Sequence, residues 1–120
     1  MLNKVKSKKE FVDEFLKYND MAGQFMKKND YKNNNKIVKQ LIKFIDKNKN
    51  EDFFENALGE LIDYNNPEIQ VGAANYSLKY HINIEKSLKT LKSISKKENI
   101  GLASLQADMS LKTFYNKYKT

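Results

Sequence analysis

A six-residue segment occurs twice in this chain: Ala74-Asn75-Tyr76-Ser77-Leu78-Lys79 returns as Ala107-Asp108-Met109-Ser110-Leu111-Lys112, 33 positions later (107 against 74). The residues ahead of the copies also correspond, Leu58 with Leu91 and Leu61 with Ile94. A period of that length, with helical spacing inside each copy, describes a helix hairpin that cannot bury its apolar side alone and stacks on its neighbours. The repeat constrains the fold strongly and the function weakly.

At 120 residues the chain is expected to form one domain, 1–120, large enough to bury a core without disulfides or metal. With no Cys it has no thiol redox chemistry and no thiolate metal site, which suits a reducing compartment. The opening segment Met1-Leu2-Asn3-Lys4-Val5-Lys6-Ser7-Lys8-Lys9-Glu10 has no apolar run of signal-peptide length, and no later run is long enough to cross a bilayer. The expectation is a soluble, cytoplasmic protein without membrane contact.

The formal charge of +7 points toward an acidic partner or nucleic acid, yet all 22 basic residues are Lys. Arg is the side chain best suited to bidentate contacts with phosphate and guanine, so its absence argues against sequence-specific DNA reading. The abundance of Asn, Ile and Lys is also what an AT-rich genome writes on a solvated surface. The charge is banded: residues 1–50 hold 13 Lys against 6 acids, residues 51–82 hold 1 against 6, and residues 83–120 hold 8 against 3. Such bands serve an acidic partner or help neighbouring hairpins dock.

Ser7 and Glu10 have capping-box spacing, which predicts a helix start. Phe11, Phe15, Tyr18, Ala22 and Phe25 then recur at steps of four and three, one apolar helix face, with a bend allowed near Asn19-Asp20 and Gly23. A second helix is predicted over Tyr31–Lys47, with Ile37, Leu41, Phe44 and Ile45 inward and the Asn33-Asn34-Asn35 run unsettling its first turn. A third, about 52–64, buries Phe54, Ala57, Leu58 and Leu61. Asn66-Pro67 stops it and starts a fourth, because Pro suits the first helical position and Asn caps from just before it. The fourth runs to about Tyr80 with Val71, Ala74 and Leu78 along one side. Asn83 is expected to cap a fifth that carries Ile84, Leu88, Leu91 and Ile94 inward. A sixth, about 101–118, turns Ala107, Leu111, Phe114 and Tyr118 inward. No stretch alternates at period two, so the expected fold is all-α: three antiparallel helix hairpins in a short right-handed α-solenoid.

The segment Asn66-Pro67-Glu68-Ile69-Gln70-Val71-Gly72-Ala73-Ala74-Asn75-Tyr76-Ser77-Leu78 resembles the second-helix signature of HEAT-type repeats: a turn ending in Pro, a branched apolar residue, a small pair and a Leu. From about Phe11 to Tyr118 the chain is similar to a family of short bacterial HEAT-like proteins defined as a domain of unknown function, number two thousand and nineteen in its series. Asn66-Pro67 leading into Ala73-Ala74, and the ending Ala107-Asp108-Met109-Ser110-Leu111, carry that likeness. The resemblance implies a HEAT-like architecture and a binding role, and it brings no catalytic residue. HEAT repeats often have a basic residue after the Val of the second helix, where this chain has Gly72 after Val71.

Signals for catalysis are thin. His81, the only histidine, falls near the end of the fourth helix, and with no Cys the commonest zinc sets cannot be assembled within one chain. Gly23, Gly59, Gly72 and Gly101 stand singly, so no phosphate-cradling loop exists. The carboxylates Asp13-Glu14, Glu51-Asp52 and Glu55 lie at helix starts or on polar faces, where they stabilise helix N-termini. No enzyme, cofactor or metal site is expected.

Two surfaces remain. Lys32, Lys36, Lys39, Lys43 and Lys47 share a narrow arc of the second helix, suited to tracking a phosphate backbone, although an amphipathic helix must also put something polar outward. The polar side of the fourth helix carries Glu68, Asn75 and Lys79, and one period later come Gly101, Asp108 and Lys112, flanked by Tyr76, Tyr80 and Tyr115. Tyrosines at such a surface are typical anchors for a protein partner. The expected function is therefore a non-catalytic module binding a protein, of the immunity or inhibitor type, through Glu68, Asn75, Tyr76, Lys79, Asp108 and Lys112. The alternative is nucleic-acid binding through the lysine arc.

Overall fold

A computed structural model of the chain describes residues 4–97 and 101–117. Among them are six helices and no strand: α1 (Lys8–Lys27), α2 (Tyr31–Lys47), α3 (Phe54–Ile62), α4 (Pro67–Lys79), α5 (Ile84–Ser95) and α6 (Leu102–Lys117). The all-α class is as the periodicity predicts. The chain divides into two compact units, one up to Ala57 and one from Leu58 onward, and the division falls inside α3.

In the first unit α1 packs against α2. The Glu10 amide donates to Ser7 Oγ (3.1 Å), and Glu10 Oε2 accepts from the Lys6 amide (3.0 Å), so the capping box forms with its return bond one residue earlier than the usual cap. α1 then runs unbroken through Gly23. α2 has the predicted bounds. Its cap is Asp30, whose Oδ1 accepts from the Asn33 amide (3.2 Å), and this bond draws the Asn-rich run into helix. Asn34 crosses to the Ala22 carbonyl of α1 (2.9 Å). Phe11, Phe15, Ile37, Leu41, Phe44 and Ile45 are buried. The Phe11 ring stacks on Phe44 at 5.2 Å and meets Phe54 edge-on at 5.7 Å, pairs worth about 0.5–1.5 kcal/mol each beyond the area they bury. Asn48, fully buried, accepts from the Val5 amide (3.1 Å) and donates to the Phe44 carbonyl (2.9 Å).

The second unit holds α4, α5 and α6, each packed against the other two. Asn66 caps α4 as predicted, its Oδ1 accepting from the Glu68 (3.0 Å) and Ile69 (3.3 Å) amides, with Pro67 at the first helical position. Gln70 Nε2 returns to the Ile62 carbonyl at the end of α3 (2.8 Å). Leu58, Leu61, Ala74, Leu78, Leu91, Ile94, Ala107 and Leu111 are all buried, so both copies of the sequence repeat turn the same residues inward.

Several expectations change. α3 is shorter than 52–64 because Glu51–Phe53 form a turn, with the Phe54 amide on the Glu51 carbonyl (3.1 Å). Asn83 precedes α5 but does not cap it: its left-handed backbone (φ 47) aims the side chain back at α4, where Nδ2 donates to Ser77 Oγ (3.4 Å). Ile84 at the start of α5 is exposed rather than inward. His81 lies beyond α4, exposed and left-handed (φ 59). Tyr118 lies outside the described residues.

Candidate functional site

Of the predicted protein-binding residues, Glu68, Asn75 and Lys79 are exposed on α4, Lys112 is exposed on α6, and Asp108 and Tyr76 are half-buried. α4 and α6 pack together, so the two helices that carry the strip are neighbours. Lys112 Nζ pairs with Asp108 Oδ2 one helical turn away (3.0 Å), and Lys79 Nζ stands 5.6 Å from the centre of the Tyr80 ring. Burial pushes the Tyr76 phenol above its usual pKa, the mark of a ring that contributes to packing as well as to the surface. Gly101 does not project from α6; it precedes that helix in the left-handed region (φ 59), a conformation glycine adopts without cost.

The lysine arc on α2 is as drawn from the sequence: Lys32, Lys36, Lys39, Lys43 and Lys47 are all exposed. Lys32, Lys36, Lys39 and Lys43 form no ion pair among the described residues. They are ammonium groups with their charge available to solvent or to an anion.

A cleft of ≈ 430 Å³ opens along α5, lined by Asp63, Gln70, Lys86, Lys89, Thr90, Ser93, Ile94 and Lys97. Lys86 is held there by the Gly59 carbonyl (2.9 Å) and by the Asp63 carboxylate, so it ties the end of α3 to α5. The charge bands hinted at this: an acid of the middle segment meets a base of the last. Among the described residues no group of three His, Asp or Glu is placed to hold a metal ion, and no helix is long and apolar enough to cross a membrane.

Sequence reasoning missed a third surface. Leu102, Leu105 and Met109, at steps of three and four along α6, are 54%, 55% and 58% exposed. Moving each back one period lands on Ile69, buried, and on Gly72 and Tyr76, half-buried, so the repeat carried no sign of this exposure. The chain matches no protein-family model, no curated protein and no solved structure.

Proposed function

We propose that this protein is a non-catalytic scaffold of HEAT-like character, a short right-handed α-solenoid of antiparallel hairpins, that binds another protein in the manner of an immunity or inhibitor protein. The supporting observation is that both sequence copies bury the same residues, Ala74 with Leu78 and Ala107 with Leu111, while Asn75, Lys79 and Lys112 stay exposed. A repeat spends its apolar residues on stacking and leaves one polar side of its second helices for recognition. Glu68, Asn75, Tyr76, Lys79, Asp108 and Lys112 are assigned to that recognition surface, and the cytoplasm is its proposed setting.

A second reading, nucleic-acid binding, is favoured by the ammonium groups of Lys32, Lys36, Lys39 and Lys43, exposed and without ion pairs among the described residues. Each phosphate they neutralise would add to a salt-dependent affinity.

One experiment separates the two. Tagged wild-type protein, an Asn75→Arg/Lys79→Glu/Lys112→Glu variant and a Lys36→Glu/Lys39→Glu/Lys43→Glu variant are used for capture from the native host, with mass spectrometry and duplex-binding assays. The first reading expects a protein lost only with the α4–α6 variant. A protein retained by that variant, or duplex binding at low salt abolished only by the α2 variant, overturns it in favour of the second.

A further inference from the structure

Along α5, Lys86, Thr90, Ser93 and Lys97 follow one another at steps of four, three and four residues, with Lys89 alongside. That spacing makes them a single polar stripe from the first turn of the helix to just past its end. The stripe lines the cleft of ≈ 430 Å³ together with Asp63, just past α3, and Gln70 of α4. The volume falls in the range of roughly 300–1,000 Å³ that small-molecule sites occupy. Ile94 is the single apolar residue of the lining, so the cleft suits a polar ligand.

The two ends of the cleft differ. At one end Lys86 is held by the Gly59 carbonyl (2.9 Å) and the Asp63 carboxylate, and Gln70 Nε2 donates to the Ile62 carbonyl (2.8 Å). Charge is balanced there, and Asp63 Oδ1 and the Gln70 side-chain carbonyl are left as acceptors. At the other end Lys89 and Lys97 form no ion pair among the described residues. Lys92 of the same helix, off the stripe, stands 5.7 Å from the centre of the Tyr115 ring instead. The hydroxyls divide in the same way. Ser95, Ser104 and Thr113 each donate to a backbone carbonyl three or four residues earlier (3.1, 3.0 and 2.9 Å), as helical hydroxyls commonly do. Thr90 and Ser93 make no hydrogen bond among the described residues. Two ammonium groups and two hydroxyls therefore line one end of the cleft with their donors unspent.

We propose that this cleft binds a small phosphorylated polyol, of the sugar phosphate class, with its phosphate between Lys89 and Lys97 and its hydroxyls toward Asp63 and Gln70. A phosphate dianion matches two ammonium charges, and its oxygens accept from Thr90 and Ser93. Asp63 accepts from a sugar hydroxyl and repels a second anionic group, which disfavours a continuous polyanion such as duplex DNA. From Lys86 to Ser93 the helix rises about 10 Å at about 1.5 Å per residue, so one small molecule reaches both ends. None of the residues assigned to the polar strip or to the lysine arc of α2 lines this cleft, and the site does not depend on either reading. The C-terminal end of α5 also favours a cation near Lys97, a local role in helix stability that predicts no effect on ligand affinity.

The test titrates the full chain, labelled with ¹⁵N, with ribose 5-phosphate, inorganic phosphate, ribose and a short DNA duplex. Ribose 5-phosphate is expected to shift the amides of Thr90, Ser93 and Lys97 saturably in the millimolar range or below. Inorganic phosphate is expected to shift the same amides at least tenfold more weakly, and ribose alone to leave them in place. Lys89→Gln/Lys97→Gln is expected to weaken ribose 5-phosphate at least tenfold, and Thr90→Val, which keeps the side-chain shape, serves if the double variant loses helix. Lys36→Gln/Lys43→Gln removes the same charge from α2 and is expected to leave the affinity unchanged. Shifts that do not saturate overturn the proposal, as does equal affinity for ribose 5-phosphate and inorganic phosphate. An equal loss in the α2 variant overturns it too, since net charge alone would then explain binding. A lower melting temperature with unchanged affinity in Lys89→Gln/Lys97→Gln assigns those lysines to the helix end instead. Tighter binding of the duplex at the same amides makes a nucleic-acid backbone the occupant and equally overturns it.

Discussion

α4 and α6 share their inward residues and differ in what lies beside them. Ala74 and Ala107, and Leu78 and Leu111, are buried alike. The arc through Ile69 and Tyr76 is covered, whereas the arc through Leu102 and Met109 is open. The common pattern turns the same side of each helix inward; the neighbours decide the rest. In a repeat protein the identity of a residue thus reports its orientation within a unit, and its burial reports its place in the row.

The largest effect expected from breaking the shared part is at Leu78. Leu78→Ala should cost about 2–5 kcal/mol, and Leu111→Ala a comparable amount, since both side chains are buried. Urea unfolding of both variants checks this, and a costlier Leu111→Ala would mean that α6 carries more of the core than α4. The part that differs is sharpened by a matched pair. Ile69→Ser should lose about 1.5–3 kcal/mol of burial, while Leu102→Ser at the equivalent place should stay within about 0.5 kcal/mol of wild type. Equal losses in thermal melts would show that the arc of α6 is covered after all.

The smallest effect is a pH dependence that one copy has and the other lacks. Burial raises the Tyr76 phenol above its usual value of 10.0, so the folded protein favours the neutral ring. Its contribution to stability is complete below pH 10 and is lost as pH rises through the raised value. Met109, the counterpart, has nothing to ionise. Tyr76→Phe should therefore flatten the fall in urea midpoint between pH 9 and 11, and an unchanged slope would assign that fall to other groups.

Much of this fold was legible in the chain because local chemistry decided it. Tyr31–Lys47 was legible from its apolar spacing, although the Asp30 cap that secures its first turn was not, and Asn66-Pro67 was legible as a cap because its side chain needs only the amides just after it. Asn83 was misread because its backbone is left-handed, a conformation set by how α4 meets α5, with Ser77 and Gly59 beside the side chain. Ile84 was misread because an apolar residue in a helix's first turn keeps the right spacing whether or not anything covers it. The same ambiguity hid the surface at Leu102, Leu105 and Met109, since an apolar letter does not say whether a neighbour is present. The polar strip and the lysine arc were legible as exposed residues, and exposure is what amphipathic spacing encodes.

Asn48 has a consequence for how the first unit opens. Its side chain joins the amide of Val5 to the carbonyl of Phe44, so a residue ahead of α1 is fastened to the end of α2 across 43 positions. A contact that distant in sequence closes a large loop of chain and carries a matching entropic cost. It joins groups from both ends of the α1–α2 pair, so any separation of the two helices breaks it. The Val5 amide proton is thus a clock on that helix pair: its exchange with solvent counts the moments at which the clasp is undone.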